Sequence, residues 1–443
     1  MSRNFLIITQ VFTPDPAAVG QYFDEAAQAI AQTGAKVTVL TANRGYENPN
    51  ENFAAKEERN GIKIRRLPLS SFGKASIPVR IFGQLSFLVQ CILRGLFTPK
   101  LTDLLVSTSP PMAAITAVII GFFRPHLKVH YWVMDINPDQ AVILGAFGPK
   151  HPLVLALDWL NRRILKRADN VVALDRFMAE RMVAKLSQKS EDSGRKTECS
   201  STHQSSIINH PQLRNGISII PPWPMDDHLE AVPHTQNQFR KAQGWDDKFV
   251  VMYSGNHSLV HPLDTILDAA EALKDDDRFV FAFIGGGKGK QAVEERITKM
   301  EVDSCSLNGE SDSNNQQPTT NNIISLPYQS LETIRFSLSA ADLHIVSLGD
   351  NMSGIVHPCK IYGALSIGRP VLTLGPRESY LSDILNTGDR SQKPEVSITA
   401  EITSTSPTDQ PSAISDQSLQ AKPVGWSVAH GDVKACIAGL KEA

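Results

Sequence analysis

The sequence predicts an α/β protein built from two doubly wound, Rossmann-like domains in tandem, facing each other across a cleft. Three observations carry this. Short apolar runs alternate with helical patterns along most of the chain, and a proline-rich acidic stretch, PPWPMDDHLEAVP, breaks the rhythm near the middle. A chain of 443 residues is also too long for one ordinary core.

Taken in order, the first strands fall at residues 5–11, 37–40, 62–67, 104–107, 129–133, 171–174 and 217–220. Helical spacing fills 20–32, 79–97, 152–168 and 176–186. Gly34 stops the first helix, and the turn before that helix holds no G-x-G-x-x-G, so the dinucleotide fingerprint is missing. This gives a first domain over 1–220, a hinge over 221–230, a second domain over 231–430 and a closing helix over 431–443. Strands of the second domain fall at 249–253, 279–284, 323–326, 343–348 and 371–374, with helices that include 262–273 and 331–340. Segments 187–215, 301–322 and 387–422 are rich in Ser, Thr, Asn, Gln and Asp without apolar periodicity, and read as flexible surface insertions.

A formal net charge of -2 gives no global electrostatic argument for a nucleic-acid partner. The five cysteines, Cys91, Cys199, Cys305, Cys359 and Cys436, are scattered, which suggests a reduced compartment and argues against a disulfide framework or a zinc site. The apolar opening at 4–12 reads as a strand, not a leader, and the run at 113–123 is too short to span a bilayer. A soluble or peripheral protein follows. In 79–97, Ile81, Leu85, Leu88, Ile92 and Leu96 recur at helical spacing, with Arg80 and Arg94 near the ends. That pattern fits either a peripheral helix lying on lipid or an ordinary core helix.

The chemistry centres on residues 343–375, read as strand, glycine loop (GDNMSG), helix and strand. Pro358 is placed in the first turn of the helix and Gly368 at its stop. Unpaired amides and the dipole make such a helix start a site for an anion, and Lys360 in the first turn strengthens that reading. Gly363 inside the helix costs about 1 kcal/mol relative to alanine, so either a ligand or a neighbouring strand is expected to approach it closely. Ser254, Gly255 and Asn256 end a buried strand ahead of His257 and His261, in a second arrangement of the same kind. Gly285, Gly286 and Gly287, with Lys288 and Lys290, form a third glycine-rich strand end, which turn chemistry alone also explains. In the first domain, Asp135 ends a strand, where its carboxylate can act as a base or hold a substrate hydroxyl; Asp139 either does the same or caps the following helix.

The Gly20 loop and helix, WVMDINPDQAVILG, IIPPW, YSGNHSLVHPL, FIGGG, IVHPCKIYGALSIGRPVL and GWSVAHGD together, in this order, resemble a family 4 retaining glycosyltransferase of the two-domain GT-B fold, close to the colanic-acid and exopolysaccharide branch. The resemblance implies transfer of a sugar from a nucleoside diphosphate donor, held mainly by the second domain, to a glycan or polyprenyl-linked acceptor, in the cytoplasm or at the inner face of the membrane. It also implies that Ser353, Gly354, Ile355 and Lys360 face the diphosphate, that Gly20 lines the donor side of the cleft, and that Tyr328 lies near the base. No metal or other cofactor is implied. The family's paired glutamates fall here on Ile355 and Gly363, and its Arg and Lys after the first donor-domain strand on Asn256 and His261; Lys360 and a protonated His261 are expected to compensate. A GT-B epimerase or hydrolase, or a binding protein without turnover, stand as alternatives.

Overall fold

The computed structural model describes residues 3–15, 17–45, 51–72, 77–187, 207–223, 229–307, 322–330, 332–385 and 425–443. Most of each polar insertion, 188–206, 308–321 and 386–424, lies outside the described residues. The chain divides into two compact units: Met1–Pro222 with Gly354–His357, and Trp223–Ser353 with Pro358–Ala443.

The first unit opens with β1 (Asn4–Ile8), α1 (Ala18–Gln32), β2 (Lys36–Ala42), β3 (Lys56–Arg59), β4 (Ile62–Leu67) and α2 (Ile77–Phe97). It continues through β5 (Asp103–Ser107), α3 (Ala114–Phe123), β6 (Lys128–Trp132), α4 (Asp139–Ile143) and α5 (Pro152–Arg167). It ends with β7 (Asn170–Ala173), α6 (Arg176–Ser187), β8 (Ile207–Ile208) and β9 (Ile217–Ile219). These strands form one sheet in the order β3-β4-β2-β1-β5-β6-β7-β9-β8. Its centre is parallel, and only the edge strands β3 and β8 run antiparallel. β1, with Leu6, Ile7 and Ile8 almost fully buried, is covered on both faces, as a central parallel strand must be.

The second unit contains α7 (Gln238–Ala242), β10 (Phe249–Ser254), α8 (Asp264–Ala272), β11 (Phe279–Ile284), α9 (Lys290–Leu307) and β12 (Ile323–Leu326). It continues with α10 (Ile334–Ser339), β13 (Leu343–Ser347), α11 (Lys360–Ser366), β14 (Val371–Leu374), α12 (Tyr380–Leu385), β15 (Gly425–Val428) and α13 (Val433–Glu442). All six strands are parallel, in the order β12-β11-β10-β13-β14-β15. The winding direction reverses between β10 and β13, the switch point at which open α/β sheets bind ligands beyond their carboxyl ends. α13 packs on α8 and β15 within this unit.

The structure corrects several expectations. α11 begins at Lys360, two residues after Pro358, so the proline precedes the helix and does not sit in its first turn. Gly363 has only Leu338 Cδ1 within reach of an added Cβ, at 3.7 Å, so no neighbouring strand needs that glycine. The insertion at 187–215 is structured at its far end, where β8 pairs with β9. β3, β8 and β15 are not expected from the sequence: β3 is wholly charged, without apolar content, and β8 spans only two residues.

Candidate anion site at the strand ends of the second unit

Two loops beyond the sheet build the site. Gly255 donates its amide to the Ile284 carbonyl at 2.8 Å, His257 to Gly286 at 2.7 Å, and Gly289 back to His257 at 2.7 Å. The backbones interlock so closely that a Cβ on Gly285 would fall 2.0 Å from the Gly255 carbonyl oxygen. Gly255, Gly285 and Gly287 all hold positive φ, at 128°, 134° and 113°. Glycine is required here by backbone conformation and by contact. Among the described residues the amides of Gly286, Gly287 and Lys288 find no protein acceptor, and they lie just ahead of the N-terminus of α9.

Lys360 crosses this loop. Its Cε lies 2.7 Å from where a Cβ on Gly255 would stand, and its ammonium sits 5.3 Å from the centre of the Tyr253 ring. Burial lowers its pKa to about 8, and no carboxylate opposes that shift. The Tyr253 hydroxyl donates to the Asn256 carbonyl at 2.9 Å, which fixes the ring under the lysine. His257 donates through Nδ1–H to the Gly255 carbonyl at 3.1 Å, while its Nε2 is buried and unpartnered. Burial, then Lys290, lowers His257 to about 4. His261 Nδ1 is also buried without a partner. Burial first and Lys360 second drive its pKa well below the ordinary histidine value, so His261 is neutral near pH 7, contrary to the expected protonated form. The Lys290 ammonium donates to the carbonyls of Phe283 and Leu326, at 2.9 and 2.7 Å, and is spent on the sheet end. Tyr328 is about half exposed and packs on Gly286, its Cε2 2.8 Å from the ideal Cβ position there.

The remaining sequence candidates are placed as follows. Ser254 lies at the end of β10, and the Ser353 hydroxyl donates to the Glu378 carbonyl at 3.3 Å. Gly354 and Ile355 pack with the first unit instead of lining a local loop beside Lys360. Gly354 has φ 71°, and a Cβ there would stand 2.5 Å from the Phe177 carbonyl carbon. Ile355 is fully buried and its carbonyl accepts from the Ile136 amide at 2.9 Å. His357, in the same short segment, pairs through Nδ1 with buried Asp175 at 2.9 Å, and Asp175 also accepts from the Met178 amide at the start of α6. Gly20 is explained by packing, since an added Cβ would meet the Phe12 backbone at 3.0 Å.

Asp135, in the first unit, borders a small cavity with Thr108, Tyr131, Asn137, Asn161 and Lys185. Burial raises its pKa to about 6. Asp139 begins α4 and pairs with Lys185 at 2.6 Å instead of capping the helix. Lys185 also meets Asp158 at 2.7 Å, so its charge is compensated. No group of three His, Cys, Asp or Glu close enough to hold a metal ion occurs among the described residues.

The six-stranded parallel sheet carries at its switch point a lysine with no carboxylate partner among the described residues and amides with no protein acceptor, an arrangement suited to an anion. Residues 17–191 match the glycosyl transferase 4-like domain. The chain is similar to the probable glycosyltransferase WbjE of Pseudomonas aeruginosa, at 24% identity over 68% of this chain and 65% of that protein, just under two thirds of its length. It is also similar to the putative colanic acid biosynthesis glycosyl transferase WcaI of Escherichia coli, at 23% identity over 85% of this chain and 84% of that protein. The Anabaena Alr3699/HepE structure, in complex with UDP-glucose, shares the fold with a TM-score of 0.57 and 12% identity, over 99% of this chain and 88% of that one. Residues 17–191 are thus similar to a glycosyl transferase 4-like domain, and the chain has the two-domain α/β fold of these structures.

Proposed function

We propose that the protein transfers a sugar, with retention at the transferred carbon, from a nucleoside diphosphate to a glycan or polyprenyl-linked acceptor in cell-envelope or exopolysaccharide assembly. The observation that carries the proposal is the Lys360 ammonium, laid across Gly255 at the switch point with no carboxylate partner among the described residues. In this reading the donor diphosphate lies against Lys360 and the amides of Gly286, Gly287 and Lys288. These groups stabilise the charge that develops as the bond from the sugar to the diphosphate breaks, and no metal is required. Neutral His261 offers Nδ1 to a phosphate oxygen or hydroxyl, and Tyr328 packs toward the base. Ser254, Asn256 and Ser353 border the donor. Asp135, with its pKa near 6, is ionised at neutral pH and serves the acceptor hydroxyl as a base or as a hydrogen-bond acceptor.

The relationship to a UDP-glucose-binding fold neighbour makes UDP-sugars the first donors to test. In this proposal the protein works in the cytoplasm at the inner face of the membrane, with α2 as the contact. Thermal shift with a panel of UDP- and GDP-sugars is the direct test, because a ligand that binds only the folded chain raises its melting temperature. A shift by at least one nucleotide sugar, lost in Lys360→Met, supports the proposal. No shift by any of them refutes it. Consumption of donor without acceptor reassigns the site to hydrolysis or epimerisation, and binding without any turnover reassigns it to a binding protein.

A further inference from the structure

In the first unit, α2, α3 and α5 form a continuous layer. Gly95 of α2 is so close to Ile120 of α3 that an added Cβ would lie 2.4 Å from its Cδ1, and Gly121 meets the Arg167 guanidinium of α5 in the same way. Arg124 ties the ends together by donating to the Leu96 and Thr98 carbonyls at 2.7 and 2.6 Å. Arg167 does the same for the Leu127 carbonyl at 2.9 Å.

The outer side of this layer is apolar where a soluble domain is polar. α2 buries Gly83, Phe87, Leu88, Cys91 and Gly95, and exposes Phe82, Leu85, Val89, Leu93 and Phe97 at helical spacing. Of the stripe that the sequence suggests, Ile81 and Leu85 are exposed and Leu88 is buried. Only 28% of the most apolar stretch of α2 is buried, far less than in a helix enclosed by the core. Phe122 and Phe123 end α3, 78% and 66% exposed, and Leu155 and Trp159 stand out from α5. So many large exposed side chains on adjoining helices mark an interaction surface, not scattered surface residues.

Charge selects the partner. Residues 77–168 carry ten Lys and Arg against four Asp, in a chain whose formal net charge is -2. Asp103, Asp139 and Asp158 are held by Arg3, Lys185 and Arg162, and Asp135 borders the cavity described above. Arg80, Arg94, Lys100, Arg163 and Lys166 are exposed, with the Arg163 guanidinium 5.1 Å from the Trp159 ring centre. A tryptophan beside an arginine, at the rim of an apolar face, suits the boundary between headgroups and acyl chains.

We propose that the α2–α3–α5 face is a membrane-docking surface for an anionic lipid bilayer, in which α2 lies in the interface, the Phe97, Phe122 and Phe123 corner inserts, and the basic rim meets the headgroups. This deepens the membrane part of the functional proposal and rests on that part alone. The test is co-sedimentation of the full chain with phosphatidylcholine vesicles, with and without phosphatidylglycerol, at low and high salt. Each wild-type measurement is paired with Phe122→Ser/Phe123→Ser and with Arg163→Glu.

Binding to phosphatidylglycerol vesicles that weakens with salt is expected. The double serine variant loses about tenfold or more in partitioning, and the charge reversal about tenfold. Both variants keep the wild-type melting temperature and nucleotide-induced shift. Failure to bind anionic vesicles at low salt overturns the proposal, as does unchanged partitioning of the variants. A wild-type dimer in sedimentation velocity that the serine variant converts to monomer reassigns the face to a second copy. A failed nucleotide shift with intact vesicle binding would sink the donor reading and leave the docking surface standing.

Discussion

Lys360→Met keeps most of the stem that crosses Gly255 and removes the ammonium, and its effects on folding and on binding should have opposite signs. Burial holds the Lys360 pKa at about 8 against the ordinary lysine value of 10.5, so the charged form is harder to hold in the folded chain than in water by about 3 kcal/mol. The folded pKa lies below the unfolded one, so the unfolded chain binds more protons across the window from about 8 to 10.5. The penalty is complete below that window and fades as pH rises through it. Lys360→Met is therefore expected to stabilise the ligand-free protein by up to about 3 kcal/mol near pH 7 and by almost nothing near pH 11. The same change deletes a charge-assisted contact to the diphosphate worth about 2–3 kcal/mol, which weakens UDP binding by about 30–160-fold. For the wild type, Kd for UDP rises about tenfold between pH 7 and pH 9 as Lys360 loses its proton. Denaturant melts at several pH values measure the first effect, and isothermal titration with UDP the second. A variant that binds UDP as the wild type does refutes the anion-site assignment. A variant destabilised at neutral pH refutes the burial argument.

Three further substitutions test the geometry. Gly285→Ala places a Cβ 2.0 Å from the Gly255 oxygen at φ 134°, and should destabilise the chain by more than about 3 kcal/mol; a wild-type melting curve would show that the interlocked loops are wrong. Gly363→Ala adds a Cβ whose nearest neighbour is Leu338 Cδ1 at 3.7 Å, and should stabilise by about 0.5–1 kcal/mol in the same denaturation assay. Asp135, raised by burial to about 6, makes the folded chain bind more protons than the unfolded one between about 4 and 6, so its contribution to stability falls as pH rises through that window. Asp135→Asn should therefore stabilise the protein by about 1–3 kcal/mol at pH 7 and leave it unchanged near pH 3. In the wild type, transfer should decline below pH 6, and a flat rate between pH 5 and pH 8 would remove Asp135 from the chemistry.

The central strands were legible because fully buried parallel strands are written as uninterrupted apolar runs, as in Phe249–Ser254 and Phe279–Ile284. β3 and β8 were not, since a wholly charged edge strand and a two-residue strand leave no such run. In α2 the period was plain but the buried face was not, because both faces are apolar and periodicity cannot choose between them. Strand-end glycines pointed to the site, yet only coordinates show Lys360 lying over Gly255, or His357 meeting Asp175 across 182 residues. The phase of His261 was misread for a related reason: its charge depends on burial, which a loop sequence does not reveal.

The two positions where the family resemblance expects glutamates hold Ile355 and Gly363, and neither supplies a carboxylate for ribose hydroxyls. No carboxylate acts on Lys360 either, the opposing influence being the adjacent Cys359 thiol, so its field is available to a diphosphate. Donor recognition should then rest on phosphate far more than on ribose. UDP and 2′-deoxy-UDP should bind within about twofold of each other, since no buried carboxylate is left unpaired when the hydroxyl is removed. UMP, which lacks the outer phosphate, should bind at least about tenfold more weakly than UDP. Titration of the three nucleotides in one buffer decides the matter. A large loss on removing the 2′-hydroxyl would mean that a carboxylate from elsewhere in the chain holds the ribose and that Lys360 is not the principal determinant of affinity.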